Sequence, residues 1–346
     1  MEKKKLLIMR FSSFGDIIQS MSAIDLLKMM YPISEIHFAT KKEFVSLVKL
    51  HPQVDQVLGY DKKEGLIAFI KKLREHDYEL VYDAHKSLRS QFITKIFYHS
   101  IFHYICTKSI DPVVVTRGKD RLKRFLLFYC HKNFFPWPFK GRVSFQAPLL
   151  KLIKSRPVIK KVAFNFGEMR DKNGYLKICQ EVDKKTLTIA PSATRDMKKW
   201  PLSHWLSFVE KLSDYRFIIL GGPEDTYLQI FEEKFGNRVI NLAGKLNLIE
   251  SCYVVSKSNV LIAADTGLMH VGDYLGIPTI ALIGPTAFGF PAGDNSITLE
   301  VNLKCRPCTK DGRGKCSQAV YQKCLVDITP DRVMDVLNNL LAHIPE

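Results

Sequence analysis

The chain has 346 residues, 46% hydrophobic and 25% charged, with a formal net charge of +16. That length is enough for two cores, and two domains are the default expectation. No run reaches the roughly 18–20 uninterrupted apolar residues of a spanning helix; even FLLFYCHKNFFPWPF is broken by His131, Lys132, Asn133 and two prolines, so a soluble or peripheral protein is expected.

The first residues, MEKKKLLIMRFSSFGD, have a basic head, a short apolar run and no small-residue cleavage pattern. They read as a first strand, KLLIMRF (5–11), and not as a signal peptide. Ser12, Ser13 and Gly15 then turn the chain into a helix near 17–30, with Asp16 at its start. A carboxylate there either favours the helix N-terminus, a role worth about 0.5–2 kcal/mol, or takes a proton from a hydroxyl nucleophile. Strands follow at EIHFAT (35–40), QVLGY (56–60) and LVYDA (80–84), with helices near 43–50 and 64–76, the rhythm of parallel βαβ units. Beyond them DAHKSLRS carries Lys86 and Arg89, and VVVTRGKDRLKRFLLF carries Arg117, Lys119, Arg121, Lys123 and Arg124.

The stretch from roughly 141 to 183, with GRVSFQAP and GEMRDKNG, is weaker in pattern and reads as an inter-domain connection. Domain bounds are set at 1–163, 164–183 for the connection proper, 184–330, and a closing helix at 331–346 behind a Thr329-Pro330 start. Charge divides unevenly along the chain, with 29 Lys and Arg against 14 Asp and Glu over 1–160 and 22 against 21 over 161–346. Such a bias suits a polyanion or an anionic membrane surface.

In the second half the strand TLTIA (186–190) ends in PSATRDMKKWP, which sets Arg195, Lys198, Lys199 and Trp200 close together. Small residues let backbone N–H groups approach a ligand, and ammonium groups beside them suit a phosphate; the other reading is a solvated basic tip. FIILGG (217–222) leads to Glu224 and Asp225, placed either for ribose hydroxyls or for a helix first turn. VINLAG (239–244), VLIAAD (260–265) and TIALIGP (279–285) continue the strands. The D-T-G turn of Asp265, Thr266 and Gly267 offers free N–H groups at a helix N-terminus, a seat for phosphate, with His270 one turn on. The same pattern fits a capped helix start and a packed histidine. Neither a G-x-G-x-x-G nor a P-loop pattern is present.

Of the eight cysteines, Cys106, Cys130, Cys179 and Cys252 read as reduced core residues. Cys305, Cys308, Cys316 and Cys324 stand at C-x2-C-x7-C-x7-C spacing, which fits either a closed tetrahedral zinc or iron site or reduced thiols. Nucleic-acid binding is not expected, because these cysteines lie in the near-neutral half and no recognised motif accompanies them.

Taken together, RFSSFGDIIQSMSAI, HPQVDQVLGYD, VYDAHKSLRSQFI, APSATRDMKKWP, ILGGPED, NLAGKLNLIE, AADTGLMHVGDYLGIPTIALIGPT and the CRPC run resemble the ADP-heptose:lipopolysaccharide heptosyltransferases, glycosyltransferase family 9, over most of the chain. The resemblance implies an α/β fold of GT-B type, two Rossmann-like doubly wound domains facing a central cleft. It implies inverting transfer of a heptose from ADP-heptose to a hydroxyl of the lipopolysaccharide inner core, either Kdo-lipid A or a heptosylated core. Another family 9 acceptor (a protein or other glycan) or another nucleotide sugar is the alternative. No cofactor is required for catalysis in this scheme, and the place of action is the cytoplasmic face of the inner membrane. Carried over by position, Asp16 is the base and Lys198, not Lys199, contacts the donor diphosphate or its sugar. Thr194 stays in the loop while Ala193 replaces a family hydroxyl. Asp225 or its neighbour Glu224 takes the ribose, Gly244 to Leu246 flanks the adenine, and Asp265, Thr266, Gly267 and His270 complete the donor site. On the acceptor side stand Ser13, Lys86, Arg89, Arg117 and Arg121, although the 117–124 run also fits the solvated face of a helix.

Overall fold

A computed structural model describes residues 3–98, 112–153, 162–169, 174–180 and 182–343 of the chain; Cys106 lies outside them. The chain divides into two compact units, one made of Met1–Asp120 and Gly141–Phe166, the other of Arg121–Lys140 and Gly167–Glu346.

The first unit is built on a parallel sheet of β1 (Lys4–Met9), β2 (Ser34–Lys41), β3 (Gln56–Tyr60), β4 (Leu80–Asp83) and β5 (Val113–Thr116), in the order β3-β2-β1-β4-β5. The inner strands are continuous apolar runs, Leu6 to Met9 being fully buried, because helices cover both faces of such a sheet. The helix Phe14–Met30 is buried without a break from Ile17 to Leu27, since it packs against the helix Gly141–Leu150 as well as the sheet. GRVSFQAPLL is therefore not a connection. It inserts Phe145 and Leu149 into the core, and its Pro148 hides the helical signal. The strand VVVT was also unexpected; it is a half-exposed edge strand with no buried alternation to mark it.

The second unit has a six-stranded parallel sheet of β6 (Thr186–Ala190), β7 (Arg216–Ile219), β8 (Val239–Asn241), β9 (Leu261–Ala264), β10 (Thr279–Leu282) and β11 (Ser296–Leu299), in the order β11-β10-β9-β6-β7-β8. Its core gathers Trp200, Trp205, Phe208, Phe217, Ile262 and Leu337. The closing helix runs Pro330–Ala342, with the Thr329 side chain accepting from the Arg332 N–H at 3.3 Å.

Residues 121–140, expected in the first domain, group with the second unit. The cause is aromatic: the rings of Phe128, Phe135 and Phe139 pack on Phe288 at 5.9, 5.2 and 4.9 Å. Counted by unit, the charges become 25 Lys and Arg against 14 Asp and Glu in the first and 26 against 21 in the second. Each sheet winds outward in both directions from its first strand, so each has a switch point, between β1 and β4 and between β6 and β9. Ligands of doubly wound sheets bind outside the carboxyl ends of the strands at such points.

Candidate functional site

At the first switch point the loop after β1 carries Arg10, a buried cation. Its guanidinium donates to the Ala84 carbonyl at 3.0 Å, lies over the Phe145 ring and forms an ion pair with Asp16. Ser13 is the residue before the helix Phe14–Met30, yet its hydroxyl does not cap the helix; it donates to Asp16 Oδ2 at 3.0 Å. The Arg10 and Ser13 side chains both hold the Asp16 carboxylate, which keeps 37% of its side-chain surface in solvent.

The loop after β4 is organised by Asp83, fully buried, whose Oδ1 accepts from the N–H groups of His85 and Lys86 at 3.0 and 2.8 Å. Burial pushes the Asp83 carboxyl up. His85 faces the β1 loop, and its Nδ1 accepts the Phe11 N–H at 3.0 Å, which puts the ring proton on Nε2. Burial first, then the cations of Arg10 and Lys119, lower its pKa to about 3, with Asp16 opposing and Arg89 adding to the drop. Lys86 adopts a positive φ of 50°, and its carbonyl takes the Lys119 ammonium at 2.6 Å. Arg89 lies over the Tyr60 ring at 4.3 Å, and Arg117 lies over Phe145 at 3.7 Å while donating to Ser144 Oγ at 2.6 Å.

Ser13, Asp16, Lys86, Arg89 and Arg117 therefore stand on the loops after β1, β4 and β5 of one sheet or in the first turns of the helices that follow them. Arg121 opens the helix Arg121–Tyr129 of the second unit and is exposed. Of the same run, Lys123 is exposed and Arg124 lies over the Phe288 ring. Sequence reasoning missed Arg10 and His85. The signal for Arg10 was a cation directly after a buried strand; His85 gave none beyond its place in a strand-end loop.

The His85 assignment has a direct check by 15N NMR. The ring is expected to stay neutral, with its proton on Nε2, from pH 8 to pH 5, whereas a midpoint near 6.5 would mean a solvated ring. The sign for stability follows: the unfolded chain takes up this proton near pH 6.5 and the native chain only near 3, so His85 favours unfolding increasingly as pH falls through that window.

At the second switch point, the loop after β6 separates its two lysines. Lys198 Nζ reaches Asp265 at 3.1 Å, whereas Lys199 pairs with Asp196 at 2.9 Å and lies over the Tyr227 ring. Asp265, buried at the end of β9, also accepts the Thr286 hydroxyl at 2.6 Å. Thr286, from the loop after β10, is a further contributor that went unnoticed inside the run TIALIGPT. Thr266 precedes the helix Gly267–Leu275 without capping it by its side chain, so the first N–H groups of that helix point to the carboxyl end of the sheet. His270 is buried one turn into that helix. Thr194 is exposed in the loop and Ala193 is buried.

Asp225 Oδ2 accepts the Gly222 N–H at 2.8 Å, while Glu224 is exposed. A cavity of about 120 Å³ opens beside Asp225, lined also by Gly222, Pro223, Thr226 and Lys245. Gly244, between the lining residues Ala243 and Lys245, has φ +72°, and an added Cβ would stand 3.0 Å from Pro223 Cα. Leu246 is half-buried in the same loop.

The cysteine segment lies behind the β6 loop. Gly312 has φ +86°, and a Cβ there would meet Lys198 Cγ at 2.7 Å and Arg195 Cβ at 2.9 Å. Gln322 donates its amide to the carbonyls of Asp196 and Lys199. Cys305, Cys308, Cys316 and Cys324 lie close enough to act on one another's charge. Burial first, and then the neighbouring sulfurs, raise the Cys308 thiol and push Cys324 up to about 11. Among the described residues, however, no group of three or more His, Cys, Asp or Glu is placed to hold a metal ion. Arg306 ties the segment to the sheet instead, through Gly284 O at 2.6 Å and Glu300 at 2.8 Å. Of the scattered cysteines, Cys252 is a core residue, Cys179 is half-buried and Cys130 is exposed, contrary to expectation.

Residues 66–317 match the family model described as glycosyltransferase family 9 (heptosyltransferase). The chain is similar to lipooligosaccharide heptosyltransferase 2 of Haemophilus ducreyi, 25% identical over 357 residues, covering 98% of this chain and 99% of the relative. In fold it is similar to ADP-heptose LPS heptosyltransferase II of E. coli, with a TM-score of 0.69 at 19% identity and 98% of each chain covered. It is likewise similar to E. coli heptosyltransferase WaaC with ADP-2-deoxy-2-fluoro heptose, with a TM-score of 0.65 at 20% identity, covering 97% of this chain and 99% of that one.

Proposed function

The chain belongs to glycosyltransferase family 9, the heptosyltransferases, and we propose that it moves a heptose from ADP-heptose to a hydroxyl of the lipopolysaccharide inner core, on Kdo-lipid A or an already heptosylated core. The observation that supports this most is the Lys198–Asp265 pair, 3.1 Å apart, next to the N-terminus of the helix Gly267–Leu275. A mobile ammonium group and free backbone N–H groups suit a departing diphosphate, whose negative charge grows in the transition state. Thr194 supplies a hydroxyl to the same phosphates. Asp225, with Glu224 beside it, takes the ribose, and Gly244 to Leu246 flank the adenine.

The anomeric carbon loses its bond to the diphosphate oxygen as the acceptor oxygen bonds to it. Asp16 takes the acceptor's proton, and the electron pair of the broken bond leaves with ADP. One displacement gives inversion at the anomeric centre. The charge that a metal would otherwise supply comes from Lys198 and the N–H groups at Thr266 and Gly267. On the acceptor side, Lys86, Arg89 and Arg117 meet carboxylates or phosphates, with Ser13 beside the base and Arg121 a further cation. No described helix is long and apolar enough to cross a membrane, and in this scheme the enzyme works as a peripheral protein on the cytoplasmic face of the inner membrane.

Incubation with ADP-heptose and defined Kdo-lipid A or heptosylated acceptors is expected to add one heptose, read by mass spectrometry, with inverted anomeric configuration by NMR. Transfer to a protein or an unrelated glycan alone, or from another nucleotide sugar, would replace this assignment.

A further inference from the structure

Apart from Arg121, the helix Arg121–Tyr129 and the chain after it, up to Lys140, present a surface that the proposed chemistry does not use. One side of the helix is anchored: Leu127 is buried with Phe135 and Ala287, and Phe128 packs beside them. The opposite side is apolar as well. Leu122 is 71% exposed, Phe125 53% and Tyr129 77%. Their spacing of three and four residues puts them on one stripe, and the rings of Phe125 and Tyr129 stack at 5.0 Å. Phe134 and Trp137 are exposed just beyond. A single exposed leucine needs no explanation, but an aromatic stripe facing away from the core on an anchored helix is an unpartnered apolar face.

Charge decides what fits it. Residues 121–140 hold five Lys and Arg and no Asp or Glu, and the next acidic residue in the chain is Glu168. Lys123, Lys132 and Lys140 are exposed. A second copy meeting the stripe through the same face would bring cation against cation with no acid in the segment to answer. An anionic bilayer answers both features, since leucine and aromatic side chains enter the boundary between headgroups and acyl chains while lysines meet the phosphates.

We infer that residues 121–140 are an interfacial anchor that docks the enzyme on an anionic phospholipid surface, with Leu122, Phe125 and Tyr129 as the inserting side chains. This deepens the membrane-face reading above and rests on it for its purpose, because a lipid-linked acceptor lies in such a surface. Binding itself is measured without any nucleotide sugar, so failure of heptose transfer and failure of docking are separate results.

The test is flotation of the full chain with vesicles of phosphatidylglycerol and phosphatidylethanolamine, and with phosphatidylcholine vesicles as the neutral arm. Wild type is expected to float with the anionic vesicles, more weakly with the neutral ones, and less as salt rises. Leu122→Gln, Phe125→Gln and Tyr129→Gln together should lower anionic binding at least about tenfold while the melting temperature holds. Transfer to a deacylated, water-soluble acceptor should change less than about twofold. Lys123→Gln with Lys132→Gln should remove the preference for anionic over neutral vesicles. Wild type that stays unbound, or a triple variant that floats like wild type, overturns the inference. So does a concentration-dependent dimer that the triple variant abolishes in the absence of vesicle binding.

Discussion

Asp16→Asn is expected to lower kcat by about 10²–10⁴-fold, the usual contribution of a general base, with ADP affinity unchanged within about twofold by calorimetry. The substitution keeps the shape of the side chain and an oxygen for the Ser13 hydroxyl, so the turn into the helix Phe14–Met30 survives. It removes the charge that pairs with Arg10. Arg10 retains the Ala84 carbonyl and the Phe145 ring, but it is a buried cation, so losing its carboxylate partner should lower stability by about 1–3 kcal/mol. ADP is assigned to residues of the second unit, whereas Asp16 belongs to the first. A variant that loses ADP affinity in step with rate would show that Asp16 serves the fold and not the proton transfer.

Lys198→Ala should cost about 10²–10³-fold in kcat/KM, the scale seen when one donor to a developing oxyanion is lost, and should weaken ADP binding as well. Lys199→Ala is expected to stay within about threefold. The two neighbours differ because Lys198 meets buried Asp265 at the end of β9, whereas Lys199 is occupied by exposed Asp196 and the Tyr227 ring. Lys198→Ala also leaves Asp265 with the Thr286 hydroxyl but no cation, so the free enzyme should melt lower, and saturating ADP should restore less of that loss than in wild type. A reversed ranking of the two lysines would move the diphosphate seat along the loop.

Much of this architecture was legible in the residues because the inner strands carry unbroken apolar runs. TLTIA and LVYDA announce themselves, and small or acidic residues mark where each strand stops. The distinction between Lys198 and Lys199 came from the family resemblance and not from their chemistry, since only the fold brings Asp265 to one of them. What escaped depends on partners far along the chain. Arg10 and His85 acquire their roles from contacts 74 residues away, and VVVT is an edge strand with no buried alternation. The grouping of 121–140 with the second unit rests on aromatic rings meeting Phe288, which has no periodicity to betray it. The cysteine spacing left a metal site and reduced thiols both open because sequence shows intervals only; among the described residues no group of three or more such side chains is placed to hold a metal, and Arg306 tethers the segment.

Gly312 makes the lysine loop a borrowed shape. With a hydrogen in place of a Cβ, the cysteine segment rests directly on the Lys198 stem, and Gln322 holds the backbone of the same loop by two carbonyls. Residues 193–200 and 305–324 are therefore one mechanical part written in two places. A chimera that imports the first stretch from a relative while keeping the second inherits a lysine aimed by the wrong support. Exchanged as a pair, the two stretches should carry their geometry with them.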